Sequence, residues 1–212
     1  MNSTASITLA GCPLSVPRHV CAFFNSEEEA YRVLLPFVKE GFEQGDKAVH
    51  ILSADQRAEH VRRLAEAGID AQSEQSKGTL ELKDTRQVYL SEGRFDSRRM
   101  LATFESMSSG MRDQRSLQRF VCQMDWASDA ASDVEQLVEF EAQVNDLWCR
   151  SEDAVVCCYQ LQRFGAETVM DILRTHPMVI IGGILQRNPF FTPPDQFLGE
   201  LQQRRARRAG SI

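Results

Sequence analysis

The sequence predicts an α/β fold of three layers, α/β/α, with helices on both faces of a mostly parallel central sheet. Two observations carry this. Short apolar runs alternate with amphipathic helical stretches along the chain, the pattern of repeated strand–helix–strand units. The runs HVCAFF, KAVHIL, RFVCQMD, AVVCCYQL and MVIIGGI are apolar almost throughout rather than alternating, as strands covered on both faces are. A chain of 212 residues, 42% hydrophobic and 25% charged, can fill such a core without covalent staples.

The elements follow in order. Residues 19–24 read as the first strand. Asn25 or Ser26 caps the next helix, and Glu27, Glu28 and Glu29 favour its positive N-terminus. Ala30, Val33, Leu34, Phe37 and Val38 keep helical spacing, while Pro36 predicts a kink or break. Gly41 and Gly45 close the unit. Residues 47–52 are a second strand and 54–67 a second helix, ended by Gly68. Residues 79–83 form a short strand. A helical turn at Val88, Tyr89 and Leu90 is interrupted by Gly93, and Asp96 or Ser97 caps a helix to about residue 112. Residues 119–125 are a strand, 133–150 a long amphipathic helix, 154–161 a strand, 166–174 a helix and 178–184 a further strand. A Pro-rich loop, 188–194, precedes a polar helix, 195–208. The expected organisation is a flexible leader over 1–16, one domain over 17–194 and a helical tail over 195–212.

Composition narrows the function classes. A net charge of -6 argues against general nucleic-acid binding. The absence of an apolar run of about 18 residues argues against a membrane span. Leu9-Ala10-Gly11-Cys12 resembles a lipoprotein cleavage box, but MNSTASIT before it has neither positive charge nor an apolar stretch of signal length. Six cysteines without a CxxC pair, four of them in apolar strand-like runs, fit reduced thiols in a cytoplasmic protein. The cluster Arg204-Arg205-Ala206-Arg207-Arg208 reads as a solvated helix end favoured by the macrodipole.

The first strand-to-helix turn raises the central question. A phosphate loop needs glycine amides and a lysine. Phe24–Glu29 has neither and carries three glutamates, which would repel a triphosphate. A residual nucleotide-binding enzyme is thereby disfavoured. No GxSxG elbow is present, and Cys21 with His19 is too local for a catalytic dyad. The chain is read as a non-enzyme with no cofactor.

Two binding chemistries stand beside the core readings. His19 and Cys21 share one face of a strand, and together with Cys157 and His176 they offer ligands suited to zinc or copper. The alternative is that buried cysteines are small core residues. Thiol redox sensing is weaker, because adjacent Cys157 and Cys158 face opposite sides of a strand. Phe23, Phe24, Trp126, Tyr159, Phe164, Phe190 and Phe191 gather near strand ends, where open α/β sheets bind ligands. With Asp125, Arg163 and His176 they would suit a small organic molecule. The alternative is that these aromatics are core.

Several phrases then combine: His19-Val20-Cys21-Ala22-Phe23-Phe24, Leu35-Pro36-Phe37 with Gly41, Tyr89-Leu90 before Gly93-Arg94-Phe95-Asp96 and Met100, Met124-Asp125-Trp126, Glu139-Phe140-Glu141 with Asn145, Cys157-Cys158-Tyr159 with Arg163-Phe164, and Thr175-His176-Pro177 leading to Asn188-Pro189-Phe190-Phe191. In this order they resemble the MEDS domain, the methanogen/methylotroph sensory domain. The resemblance implies a RecA-like fold without a phosphate loop and a sensory role proposed for simple hydrocarbon derivatives. The family's His-x-Cys matches His19 and Cys21, its cysteine–tyrosine phrase Cys157 and Tyr159, and its histidine–proline His176 and Pro177. The family often has an aspartate after the tyrosine, where this chain has Gln160. Family members also often continue into an output module, whereas this sequence stops after QFLGELQQRRARRAGSI. The expectation is a stand-alone sensory module that binds a small ligand and acts on a signalling protein, such as a histidine kinase or transcription regulator, by docking or as a homodimer. A ligand-independent adaptor and a His/Cys metal or thiol sensor are the alternatives.

Overall fold

The structure, a computed structural model, describes residues 6–109, 117–128 and 134–210. The far end of the expected helix to residue 112, the start of the one from 133, residues 1–5 of the leader and residues 211–212 of the tail lie outside the described residues.

The elements in chain order are β1 (Thr8–Leu9), β2 (Cys12–Pro13), β3 (His19–Phe24), α1 (Glu27–Gln44), β4 (Lys47–Leu52), α2 (Arg57–Glu66), α3 (Ala71–Lys77), β5 (Leu80–Asp84), α4 (Thr85–Tyr89), α5 (Ser97–Ser109), β6 (Gln118–Gln123), α6 (Val134–Gln143), α7 (Asn145–Trp148), β7 (Ala154–Gln160), α8 (Ala166–Thr175), β8 (Met178–Ile181), β9 (Ile184–Arg187) and α9 (Pro194–Ala209). Seven strands form one sheet in the order β5-β4-β6-β7-β3-β8-β9. Every neighbouring pair is parallel except β8 and β9. This is the expected three-layer, mostly parallel architecture.

Alternation along the strands fills two cores. Cys21, Phe23, Cys122, Cys157 and Tyr159 face one layer, where they meet Tyr89, Phe104, Phe140, Trp148, Ile172 and Phe197 from α4 to α9. Val20, Ala22, Phe24, Val121, Val156 and Cys158 face the other, against Val33, Phe37 and Leu64 from α1 and α2. Cys157 and Cys158 therefore lie in different cores, as the strand period of two requires.

The glutamates of the first turn build a helix start. Ser26 Oγ accepts from the Glu29 N–H at 3.2 Å, and Glu29 Oε2 reaches back to the Asn25 N–H at 2.8 Å. This is the reciprocal logic of a capping box. Helix α1 runs through Pro36 without ending there.

The structure differs from these expectations at four places. The expected strand 178–184 is a hairpin, because Gly182 and Gly183 both take positive φ (60° and 76°) and form its two-residue turn. The long helix expected over 133–150 is divided into α6 and α7 around Val144. Helix α3, capped by Asp70, was not expected, since AQSEQSK has no apolar stripe. Residues 6–14, placed in the expected leader, contribute buried Ile7, Leu9 and Leu14 to the α1 side of the core.

The tail also packs. Phe197 and Leu201 of α9 are buried. Arg204 pairs with Asp171 at 2.8 Å, and Arg205 with Glu139 at 2.7 Å and Glu135 at 3.2 Å. These basic side chains lie on α6 and α8 as ion-pair partners. No helix among the described residues is long and apolar enough to cross a membrane.

Candidate functional site: an open cleft and a buried polar cluster

The parallel strands end their carboxyl termini on one edge, and the loops beyond them enclose a cleft of about 460 Å³. This volume falls within the range of small-molecule sites. Its walls come from five strand ends. Glu27 follows β3, Ser53 to Gln56 follow β4, Asp84 ends β5 with Thr85 and Arg86 after it, Gln123 ends β6 with Asp125 and Trp126 beyond, and Gln160 ends β7 with Arg163 beyond. Three predicted residues, Asp125, Trp126 and Arg163, line it. Phe24 and Tyr159 border a narrow adjoining recess that shares Glu27, Gln56, Gln123 and Gln160 with it.

Asp125 opens a short 3-10 turn after β6. Its Oδ1 accepts the Gln160 N–H at 2.9 Å, tying the ends of β6 and β7 together. Its Oδ2 is buried and has no hydrogen-bond partner. Burial pushes the Asp125 carboxyl up, against the Gln160 N–H and the Arg163 guanidinium.

The aromatic residues mostly form core rather than cleft wall. Tyr159 stacks on Phe23 at 5.6 Å and meets Phe164 edge-on at 5.4 Å. Trp126 stacks on Tyr89 at 4.7 Å. Phe190 is 55% exposed. The cleft is consequently more polar than the sequence suggests. The signal for most of its other lining residues was available, since they lie at or just past the end of a strand run.

The remaining predicted residues meet elsewhere, beneath the helical layer. His19, Cys157 and His176 converge on Glu141 of α6, and all four are buried. His19 and His176 bring Nε2 to 3.3 Å and 3.4 Å from Glu141 Oε2. The Cys157 Sγ lies 3.9 Å from the same oxygen and 3.7 Å from His19 Nε2. The Tyr159 hydroxyl donates to Glu141 Oε1 at 2.8 Å. Cys21 stands outside this convergence, with its Sγ 3.7 Å from the Met178 carbonyl.

The rings are held from behind. Asn145 Nδ2 donates to the carbonyls of Glu141, Ala142 and Thr175. Its Oδ1 therefore faces His19 Nδ1, at 3.0 Å, as an acceptor. His176 Nδ1 lies 2.9 Å from the Ile172 carbonyl. Each histidine thus places its proton on Nδ1 and aims Nε2 at Glu141.

Burial would raise the Glu141 carboxyl, but His176 and then His19, when their rings carry a second proton at Nε2, outweigh it and hold the group well below the usual carboxylate range. Burial and then His176 push His19 down. Burial and then Glu141 push the Cys21 and Cys157 thiols well up. That is the reverse of the exposed, acidified thiolate needed for redox sensing.

Glu141 belongs to the family phrase Glu139-Phe140-Glu141 but not to the expected site residues. It lies four residues after Leu137 and three after Val138, both buried, so helical spacing alone turns it inward.

Among solved structures, the fold is similar to that titled "Crystal structure of flagellar accessory protein FlaH from Methanocaldococcus jannaschii", at 14% identity and a TM-score of 0.47, covering 79% of this chain and 74% of that one. The comparison with curated proteins gives no match. A family model described as "MEDS: MEthanogen/methylotroph, DcmR Sensory domain" matches residues 18–177, three quarters of the chain. This chain belongs to the MEDS family of sensory domains.

Proposed function

We propose that the chain is a cytoplasmic sensory module whose cleft takes a small organic molecule and whose bound state is read by a signalling protein, such as a kinase or a transcription regulator. The observation that carries the ligand is Asp125 Oδ2, buried at the cleft wall without a hydrogen-bond partner. A buried carboxylate oxygen in that position favours a ligand that donates a hydrogen bond. Glu27, Asp55, Asp84 and Asp125 against Arg86 and Arg163 leave the wall net acidic. That balance favours a neutral or cationic molecule, such as an alcohol or an amine, and disfavours a nucleotide. A hydrocarbon derivative with a polar head would set its apolar part against Leu90 and Trp126, the large apolar side chains of the lining.

The test is a thermal-shift screen of small alcohols, amines and amides with the wild type and Asp125→Asn. A supported reading shows at least one class that stabilises the wild type and loses most of its effect in the variant. No stabilising class, or an unchanged response in Asp125→Asn, removes it. Ligand-independent capture of the same partner would favour an adaptor instead.

A further inference from the structure

We propose that His19, Glu141, Cys157 and His176 form a binding site for one divalent transition metal with the chemistry of zinc. This site is separate from the cleft and does not depend on the cleft's ligand.

Lone-pair direction is the first support. Both histidines commit their Nδ1 protons to fixed acceptors, Asn145 Oδ1 and the Ile172 carbonyl. Both Nε2 atoms then face Glu141 Oε2, and His176 Nε2 makes no hydrogen bond there. Two imidazole lone pairs and a carboxylate oxygen converging in a dry core repel each other unless a cation sits among them. Metal-binding histidines are held in the same way, with the far ring nitrogen bonded to a carbonyl or amide behind it.

Spacing is the second support. A tetrahedral ion with bonds of about 2.0–2.3 Å sets its ligand atoms about 3.3–3.7 Å apart. Four of the separations here are 3.3, 3.4, 3.7 and 3.9 Å. All four donor atoms lie within 4.8 Å of one another, so the widest pair need close by only about 1 Å.

Charge and donor type select the ion. One carboxylate and one thiolate neutralise a divalent cation, which leaves a buried site with no net charge. Two imidazoles, a thiolate and a carboxylate suit zinc and exclude magnesium and calcium, which need more oxygen donors. Metal binding would displace the Cys157 proton to solvent as the Sγ–metal bond forms. A void of about 10 Å³ beside the cluster, lined in part by His19, Glu141 and Cys157, is close to the room one water-sized sphere takes. The competing occupant is a proton shared between the imidazoles and Glu141.

The full chain should be produced in zinc-supplemented medium, dialysed against a chelator and analysed for metal. A second sample should be refolded with Co(II), because the buried site will exchange slowly. The expected results are one retained metal per chain, visible ligand-field bands for the cobalt form and a thiolate-to-metal charge-transfer band. Cys157→Ser should abolish the charge-transfer band. Chains that retain no metal and give no cobalt spectrum, even when refolded with the ion, overturn the proposal in favour of the proton. A cobalt spectrum without the charge-transfer band, or one that keeps it in Cys157→Ser, overturns this ligand set. The wild-type measurements decide the matter even if the variant does not fold.

Discussion

Tyr159 donates its hydroxyl hydrogen to Glu141 Oε1 at 2.8 Å, in a core where neither residue has measurable exposure. Strand β7 and helix α6 are joined there by a charge-assisted hydrogen bond. Tyr159→Phe keeps the ring stacked on Phe23 but strips Oε1 of this donor. The expected loss is about 1–3 kcal/mol of stability, the cost of leaving a buried acceptor unsatisfied. Urea denaturation measures it. Unchanged stability would mean that Oε1 finds another donor.

Arg119 is another buried charge on which the fold depends. Its Nε pairs with Asp46 at 2.8 Å, and one Nη reaches Glu40 at 2.7 Å and the Phe37 carbonyl at 2.8 Å. Gly41 makes room for it, since a Cβ there would sit 2.8 Å from Arg119 Cδ. Arg119→Ala leaves Asp46 buried without this partner, and about 3–5 kcal/mol should be lost. Gly41→Ala should destabilise through the clash and do much less harm in an Arg119→Ala background. Additive effects in the double variant would contradict the coupling.

A second histidine pair gives a pH dependence. His50 Nδ1 lies 2.8 Å from His60 Nε2, and His60 Nδ1 lies 3.2 Å from the Tyr31 hydroxyl. Burial and then His60 push His50 well down. Burial and then Arg57 push His60 down to about 4. The unfolded chain takes up these protons at about 6.5, before the folded one does. Stability is therefore full above about pH 6.5 and is lost as pH falls toward 4. Denaturation of wild type and His60→Gln at a series of pH values should show a shallower decline in the variant. Parallel declines would contradict the assignment.

Helix α9 belongs to the core, with Phe197 wholly buried beneath Arg174 and Arg204, whose guanidinium carbons lie 5.3 Å and 6.0 Å from its ring centre. Phe197→Ala should cost about 3–5 kcal/mol, read as an earlier denaturant midpoint. A near-neutral result would mean that α9 docks weakly and can be released.

The strand sequence was legible because β3 and β7 are almost continuously apolar and β4 and β6 have apolar-rich centres, as strands covered on both faces do. The β8–β9 hairpin was not, because MVIIGGI reads as one run until both glycines are seen to take positive φ. The site divided along the same line. His19 and Cys157 could be placed by strand alternation, and Asp125 by its position past a strand end. Glu141 could be turned inward by helix spacing, but its meeting with His19 and His176 depends on how α6 and α8 pack over the sheet, and no local pattern encodes that. The aromatic residues misled because type alone does not distinguish a ring lining a cleft from one stacked in the core.

The cleft at the strand ends is proposed to hold the sensed molecule against Asp125. The Gln160 amide, bonded to Asp125 Oδ1 at 2.9 Å, reports on it directly. Amide NMR during titration with a molecule that stabilises the protein should move the Gln160 and Trp126 signals first and saturate. Saturable binding that leaves Gln160 and Trp126 unmoved, while signals on another face shift, would contradict the account.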